Sequence, residues 1–324
     1  MRPLRSIPDV CDVWTVCGPE ADPGAPPTAL CELPHGATRR VDLAAAKALI
    51  RSYPEERYDK FFLANTDQGS PEYGARFAAM VSDPEGLTGL GIDAATAARL
   101  RPRAARMKVL MIRCLIPRTI ADVNRVWEPG RDLSGANLTG VLAPFITEPA
   151  EVLAVRARYD EYQAVIRAAY EMVCGAGGWA FNLHTYAPIS VAIVPGEPIV
   201  DTLERAYRPE NYGSYPRRPE AQLITATPGG EYLADRALAA AIAAEYARIG
   251  VRAVENDPFD LHPATTCAAA CARYPGRVTV LELSRERLAE VFDPFTEMTI
   301  SDAKVEAMAA PLAAGFLRRL DAGG

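Results

Sequence analysis

KVLMIRCLI, residues 108–116, runs directly into PRTIADVNRVW, residues 117–127. The first stretch is a short apolar strand, and the second is a charged segment that begins at a proline and cannot continue it. Five more runs read as strands in the same way: TALCEL (28–33), KFFLAN (60–65), WAFNLHT (179–185), RAVEN (252–256) and RVTVLEL (277–283). Between them lie Ala-rich amphipathic stretches that predict helices over 42–53, 71–81, 148–174, 230–250 and 301–320. Strands alternating with helices predict an α/β protein: a single domain with a mixed, mainly parallel sheet flanked by helices. A Pro/Tyr/Arg-rich insert at about 195–229 has neither period and reads as an excursion that overhangs the active site.

The chain has 324 residues, 49% of them hydrophobic, and a net charge of −6. Those values allow a sizeable buried core and argue against nucleic acid as a partner, because phosphate binding needs a basic surface. RLRPRAARMK (99–108) is basic only locally and reads as a solvated helix face. Every apolar run is broken by Pro, Gly or charge before membrane-spanning length, and Asp9 and Asp12 interrupt the place of a signal-peptide core. A cytoplasmic protein without membrane contact is therefore expected. The seven cysteines form no CxxC pair and read as reduced, mostly buried thiols, including Cys267 and Cys271 on an apolar helical turn. Nothing in the sequence bears on oligomeric state.

Only three histidines occur. His35 in LPHG and His184 in FNLHTY each fall where an apolar strand breaks into a turn, and in open α/β sheets ligands collect outside the carboxyl ends of strands. Two strand-end imidazoles are a candidate metal pair, and each alone is equally readable as a hydrogen-bonded structural residue. His262, in a Pro-rich loop, reads as a surface residue. Asp67 in NTDQGSP is a possible third ligand, with Ser70 rather than Asp67 the expected cap of the helix that follows. Glu282 lies between Leu281 and Leu283, where a carboxylate is expensive to bury unless paired or put to use. A raised pKa there would suit a proton carrier. In the 118–125 segment, Arg118, Asn124 and Arg125 form a candidate clamp for a substrate carboxylate, while Asp122 could instead pair with one of the arginines.

Taken in order, LPHG, NTDQGSP, RTIADVNR, YDEYQAVI, FNLHTY, NDPF and LELSRERL make the chain resemble a divergent member of the N-formylglutamate amidohydrolase family. That family is itself similar to the zinc carboxypeptidases and aspartoacylases. The resemblance implies a fold of the zinc exopeptidase (phosphorylase/hydrolase-like) type. It also implies one Zn2+ held by His35, His184 and an acidic residue, here Asp67, with Asp42 and Glu32 in reserve. Metal-activated water would attack an amide, N-acyl or N-formyl C–N bond of a small carboxylate-bearing amino-acid derivative. Glu282 would be the general acid/base, and Arg118 would be catalytic through the oxyanion. Arg118, Asn124, Arg125 and Tyr186 would hold the small-molecule carboxylate substrate. Two departures stand out: the family's PHSG reads PHGA here, and Thr38 occupies the place of the carboxypeptidase-like acid. Two imidazoles and a carboxylate also accept divalent ions other than zinc. The alternatives are a carboxypeptidase-type peptidase and a metal-free small-molecule binding protein on the same fold.

Overall fold

Runs such as KVLMIRC and WAFNLHTY carry no alternation because they are covered on both faces. The structure, a computed structural model, describes residues 4–54, 56–133, 138–192 and 199–323. Its strands are β1 (Cys11–Cys17), β2 (Ala29–Leu33), β3 (Lys108–Cys114), β4 (Trp179–Tyr186), β5 (Ala221–Ile224), β6 (Ala253–Glu255) and β7 (Val278–Ser284). Its helices are α1 (Arg40–Lys47), α2 (Asp59–Asn65), α3 (Ser70–Val81), α4 (Ala94–Ala105), α5 (Pro149–Val173), α6 (Ile199–Ala206), α7 (Pro209–Tyr212), α8 (Arg236–Arg248), α9 (Thr266–Arg273) and α10 (Asp302–Ala322). One sheet runs in the order β1-β3-β2-β4-β7-β5-β6. The four central strands β3, β2, β4 and β7 are parallel, β1 joins one edge antiparallel, and β5 meets β7 antiparallel while pairing parallel with β6. This is the expected α/β class with a mixed, mainly parallel sheet.

Helices α3, α4, α8 and α10 cover one face through Phe77, Leu100, Ile242 and Phe316, and α5 with α9 covers the other through Tyr162, Val173 and Cys271. Strand β2 has neighbours reached by crossovers on opposite faces: α3 and α4 lead to β3, and α5 leads from β3 to β4. Such a reversal opens a crevice at the carboxyl ends of the strands that flank it. No helix among the described residues is long and apolar enough to cross a membrane.

Four expectations need correction. KFFLAN forms α2 rather than a strand. Four consecutive apolar residues, 61–64, fit either period, and the carbonyls at the end of the helix, those of Leu63, Ala64 and Thr66, are satisfied from far along the chain by the Arg285 guanidinium. The 195–229 insert is not wholly irregular: it contains α6 and α7 and enters the sheet as β5, while its residues 195–198 lie outside the described residues. CDVWTVC, not anticipated as a strand, is the edge strand β1. Ser70 is not a cap, since its hydroxyl has no hydrogen-bond partner among the described residues and the N-cap of α3 is Gly69 at φ +89°, a conformation suited to glycine.

Candidate metal centre

His35 stands in the turn that leaves β2, closed by the Gly36 amide on the Leu33 carbonyl (3.1 Å). A side chain at position 36 would meet Arg113, whose Cγ lies 2.6 Å from where a Cβ would sit. Arg113 also donates to the Gly36 carbonyl (2.8 Å) and to Asp42 (2.6 Å), so Asp42 braces this turn and is no ligand. His184 lies in β4, in register with Glu282 of β7, which is in register with Gln222 of β5. One row across three strands therefore points to one face. Asp67 sits in the loop between α2 and α3. That loop is fastened by the Thr66 hydroxyl to the Ala37 carbonyl (2.7 Å), the Thr185 hydroxyl to the Gln68 carbonyl (3.0 Å) and the Gln68 side chain to Leu63, Thr296 and Met298.

These elements bring three buried side chains together. His35 Nδ1 is 3.2 Å from Asp67 Oδ2, His184 Nδ1 is 3.0 Å from the same oxygen, and the two Nδ1 atoms are 3.1 Å apart. Around them the second ring nitrogens are assigned by their partners. His35 Nε2 lies 2.8 Å from Asp122 Oδ1, which can only accept while ionised, so Nε2 carries the proton. Asn182 donates through Nδ2 to Glu32 (2.6 Å), which leaves its Oδ1 as acceptor for His184 Nε2 at 2.6 Å. In the neutral tautomers both Nδ1 atoms present lone pairs to a carboxylate oxygen at hydrogen-bonding distance, and in the absence of an ion a proton on His35 Nδ1 bridges it to Asp67. Among the described residues the Thr185 amide (3.2 Å to Asp67) and Arg118 Nη1 (3.8 Å to Asp67) also approach this cluster, and a cation bound between the three ligand atoms would reconcile them. Donors about 2.0–2.1 Å from a common tetrahedral centre stand about 3.3 Å apart, close to the separations here. The donor set fits a divalent ion, and His–carboxylate and His–amide partners are the outer contacts that metal-ligating histidines need.

The electrostatics agree with crowded charge. Burial and Arg118 press His35 downward, but Asp122 and Asp67 overcome them and its pKa stands above the ordinary value. Burial alone would raise Asp67, yet His35 and His184 hold it well below the carboxylate range. Burial pushes Glu282 up to about 7; Asp67 adds to this, and His184, Arg118 and Arg218 oppose it. No hydrogen bond reaches the Glu282 carboxylate among the described residues.

The RTIADVNR segment is not extended: successive turns close on Pro117 and Asp122 and re-aim its side chains. Asp122, 0% exposed, receives His35, the Asn124 amide (3.0 Å), Arg118 Nε (3.1 Å) and Arg125 Nη2 (3.4 Å). Arg118 remains partly open, 21% exposed, with Nη1 3.8 Å from Asp67. Asn124 and Arg125 do not sit as a substrate clamp. The Asn124 side-chain oxygen Oδ1 accepts from the Thr266 hydroxyl and the Cys267 amide in the first turn of α9, and Arg125, 2% exposed, donates to the Thr139 and Asn124 backbone carbonyls. The Tyr186 hydroxyl is likewise taken, by the Pro219 carbonyl (2.7 Å). Glu32 accepts from Tyr162, Tyr170 and Asn182 and stands behind His184 rather than among the ligand atoms. Cys267 and Cys271 are core thiols of α9, and His262 Nδ1 accepts the Ala264 amide.

Two features escaped sequence reasoning. Asn182 lies two residues before His184 on the same strand face, a signal that strand periodicity carries. Arg218 belongs to the segment read as an excursion. Its Nε donates to Ser190 Oγ (3.1 Å), its guanidinium lies 5.5 Å from the Tyr186 ring centroid and 5.2 Å from that of Phe259, and no carboxylate pairs with it among the described residues.

No protein-family model matches the sequence, and no curated protein does. Among solved structures, the N-formylglutamate amidohydrolase from Ralstonia eutropha JMP134 superposes with a TM-score of 0.56 at 14% identity, over 98% of this chain and 100% of that one. The chain shares that fold. A succinylglutamate desuccinalase from Vibrio parahaemolyticus and a metallo-carboxypeptidase from Burkholderia cenocepacia align more loosely. Their TM-scores are 0.37 and 0.35 at 10% and 14% identity, over 96% of this chain and 62% of each of those.

Proposed function

We propose that the protein is a metal-dependent amidohydrolase that cleaves the C–N bond of an amide or N-acyl group in a small carboxylate-bearing amino-acid derivative. The convergence of His35 Nδ1, His184 Nδ1 and Asp67 Oδ2, with both outer ring nitrogens already committed, is the observation that carries this reading. His35, Asp67 and His184 would hold the ion, with zinc the first choice for two imidazoles and one carboxylate. Bound there, a divalent ion supplies Lewis acidity toward a carbonyl oxygen and toward water. Glu282, opposite His184 and pushed up to about 7 by burial, accepts a proton near neutral pH and returns it to the leaving amine. Arg118, held by Asp122 and still partly open, stabilises negative charge that develops on the carbonyl oxygen. Asp122 and Asn182 keep the two imidazoles in their tautomers.

The substrate carboxylate is assigned to Arg218 in place of Arg125. Its Nε is pinned by Ser190 and aromatic rings flank it, while neither Nη atom has a hydrogen-bond partner among the described residues. Such a fork receives a carboxylate bidentately. Arg218→Ala is expected to raise KM for carboxylate substrates roughly ten- to hundredfold and to leave uncharged amide analogues unaffected. Equal losses on both substrate classes would remove the assignment.

The reading is tested by elemental analysis of wild type, His35→Ala and His184→Ala, purified without chelator, followed by a screen of N-acyl amino acids. About one zinc per wild-type chain, absent from both variants, is the expected result. A metal-free wild type would reject the reading and favour a small-molecule binding protein.

A further inference from the structure

The opposite end of the sheet carries a second concavity. The loop that leads into β2, the end of α4, the turns that precede β4 and β7 and the last turns of α10 surround a cavity of about 580 Å³, within the range of small-molecule sites. Four arginines line it, Arg103, Arg106, Arg277 and Arg319, and no Asp or Glu does among the described residues. In a chain of net charge −6 that wall runs against the overall balance.

Two of the four are committed to holding the walls. Arg319 pairs with Asp235 through Nε (3.1 Å) and Nη2 (2.9 Å), and Arg103 donates to the Leu320 carbonyl. Lys108 fixes the facing loop through the carbonyls of Asp22, Pro23 and Ala25. Arg106 and Arg277 pair with no carboxylate among the described residues. The Arg277 guanidinium lies 5.0 Å from the Trp179 ring centroid, within cation–π distance. Pro26, Pro27 and Leu320, all at least partly exposed, supply the apolar surface of the wall. The cavity therefore offers two spare guanidiniums, a fixed frame and an apolar surface.

We propose that this cavity binds a small organic phosphate with a flat apolar body, the chemistry of a nucleoside monophosphate. Arg106 and Arg277 receive the phosphate oxygens as charge-assisted forks, and the Pro26 and Pro27 rings and Leu320 pack on the body. Trp179 opens β4 and His184 lies near its other end, so the two sites are at opposite ends of one strand and do not share residues.

Calorimetric titration of the full chain with AMP, inorganic phosphate and adenosine tests this. AMP is expected to saturate with a Kd below about 1 mM and to bind at least about tenfold more tightly than either half. Arg106→Ala/Arg277→Ala is expected to weaken AMP at least about tenfold while keeping the wild-type melting temperature and metal content. His184→Ala is expected to bind AMP as wild type does, which separates this cavity from the candidate metal centre. Absence of saturable AMP binding, binding no tighter than phosphate, or an unchanged affinity in the double variant would each overturn the proposal.

Discussion

Glu282→Gln is expected to lower kcat by about 10²–10⁴-fold while leaving metal content at the wild-type level. Glutamine keeps the shape and volume of the side chain, so the row His184–Glu282–Gln222 across β4, β7 and β5 should stay intact. What disappears is a carboxylate that burial has moved into the neutral range, with a pKa of about 7, and that has no hydrogen-bond partner among the described residues to hold it in either state. The same group leaves a mark on stability. Its folded pKa stands above its ordinary 4.5, so between those values the unfolded chain has released the proton that the folded chain still holds. The contribution of Glu282 to the stability of the metal-stripped protein therefore falls as pH rises from about 4.5 to about 7, and is constant above. Glu282→Gln should flatten that window in a melting-temperature series taken with chelator. Turnover within tenfold of wild type, or an unaltered pH slope, would remove Glu282 from the role of proton carrier.

The sequence made the central strands legible because they are continuous and apolar, and their ends could be read as places where a ligand would collect. His35, Asp67 and His184, 32 and 117 positions apart from Asp67, were each readable as strand-end or loop residues, and the structure brings them within 3.2 Å of one another. What stayed hidden depends on partners distant in sequence. KFFLAN carries no periodicity that separates helix from strand, and the residue that satisfies its terminal carbonyls, Arg285, is more than 200 positions away. Arg125 and Arg118 look interchangeable beside Asp122 in sequence. Turns on Pro117 and Asp122 then send Arg125 to the Thr139 and Asn124 carbonyls and leave Arg118 at the opening. Arg218 was invisible as a candidate because its surroundings, Tyr186 and Ser190 in one segment and Phe259 in another, lie about 30 to 40 positions from it in the sequence.

Asp122→Ala should cost about 3–5 kcal/mol of stability, because it removes the acceptor shared by two guanidiniums and an imidazole. Asp122 is 0% exposed and is held well below the carboxylate range: burial would raise it, but Arg125, His35 and Arg118 prevail. Without it, Arg125 keeps its carbonyl partners but loses its counter-charge, and His35 Nε2 loses the partner that fixes its tautomer. Loss of folding alone would not separate these effects, so Asp122→Asn supplies the second half of the experiment. Asparagine can still accept from the Asn124 amide and from His35 Nε2 through Oδ1, which keeps the turn. Its amino group replaces the Oδ2 acceptor of Arg118 and Arg125, lowering stability by less than the alanine does, and it withdraws the charge that raises the basicity of the imidazole. The variant should remain folded and lose about 10–100-fold in zinc affinity, measured by competition with a chelator of known strength. Wild-type affinity in Asp122→Asn would mean that Asp122 acts only as a structural counter-ion to Arg118 and Arg125. A folded Asp122→Ala with an unchanged melting temperature would reject that role as well. Weakened zinc binding with the fold retained is the outcome that ties the RTIADVNR segment to the candidate metal centre through His35.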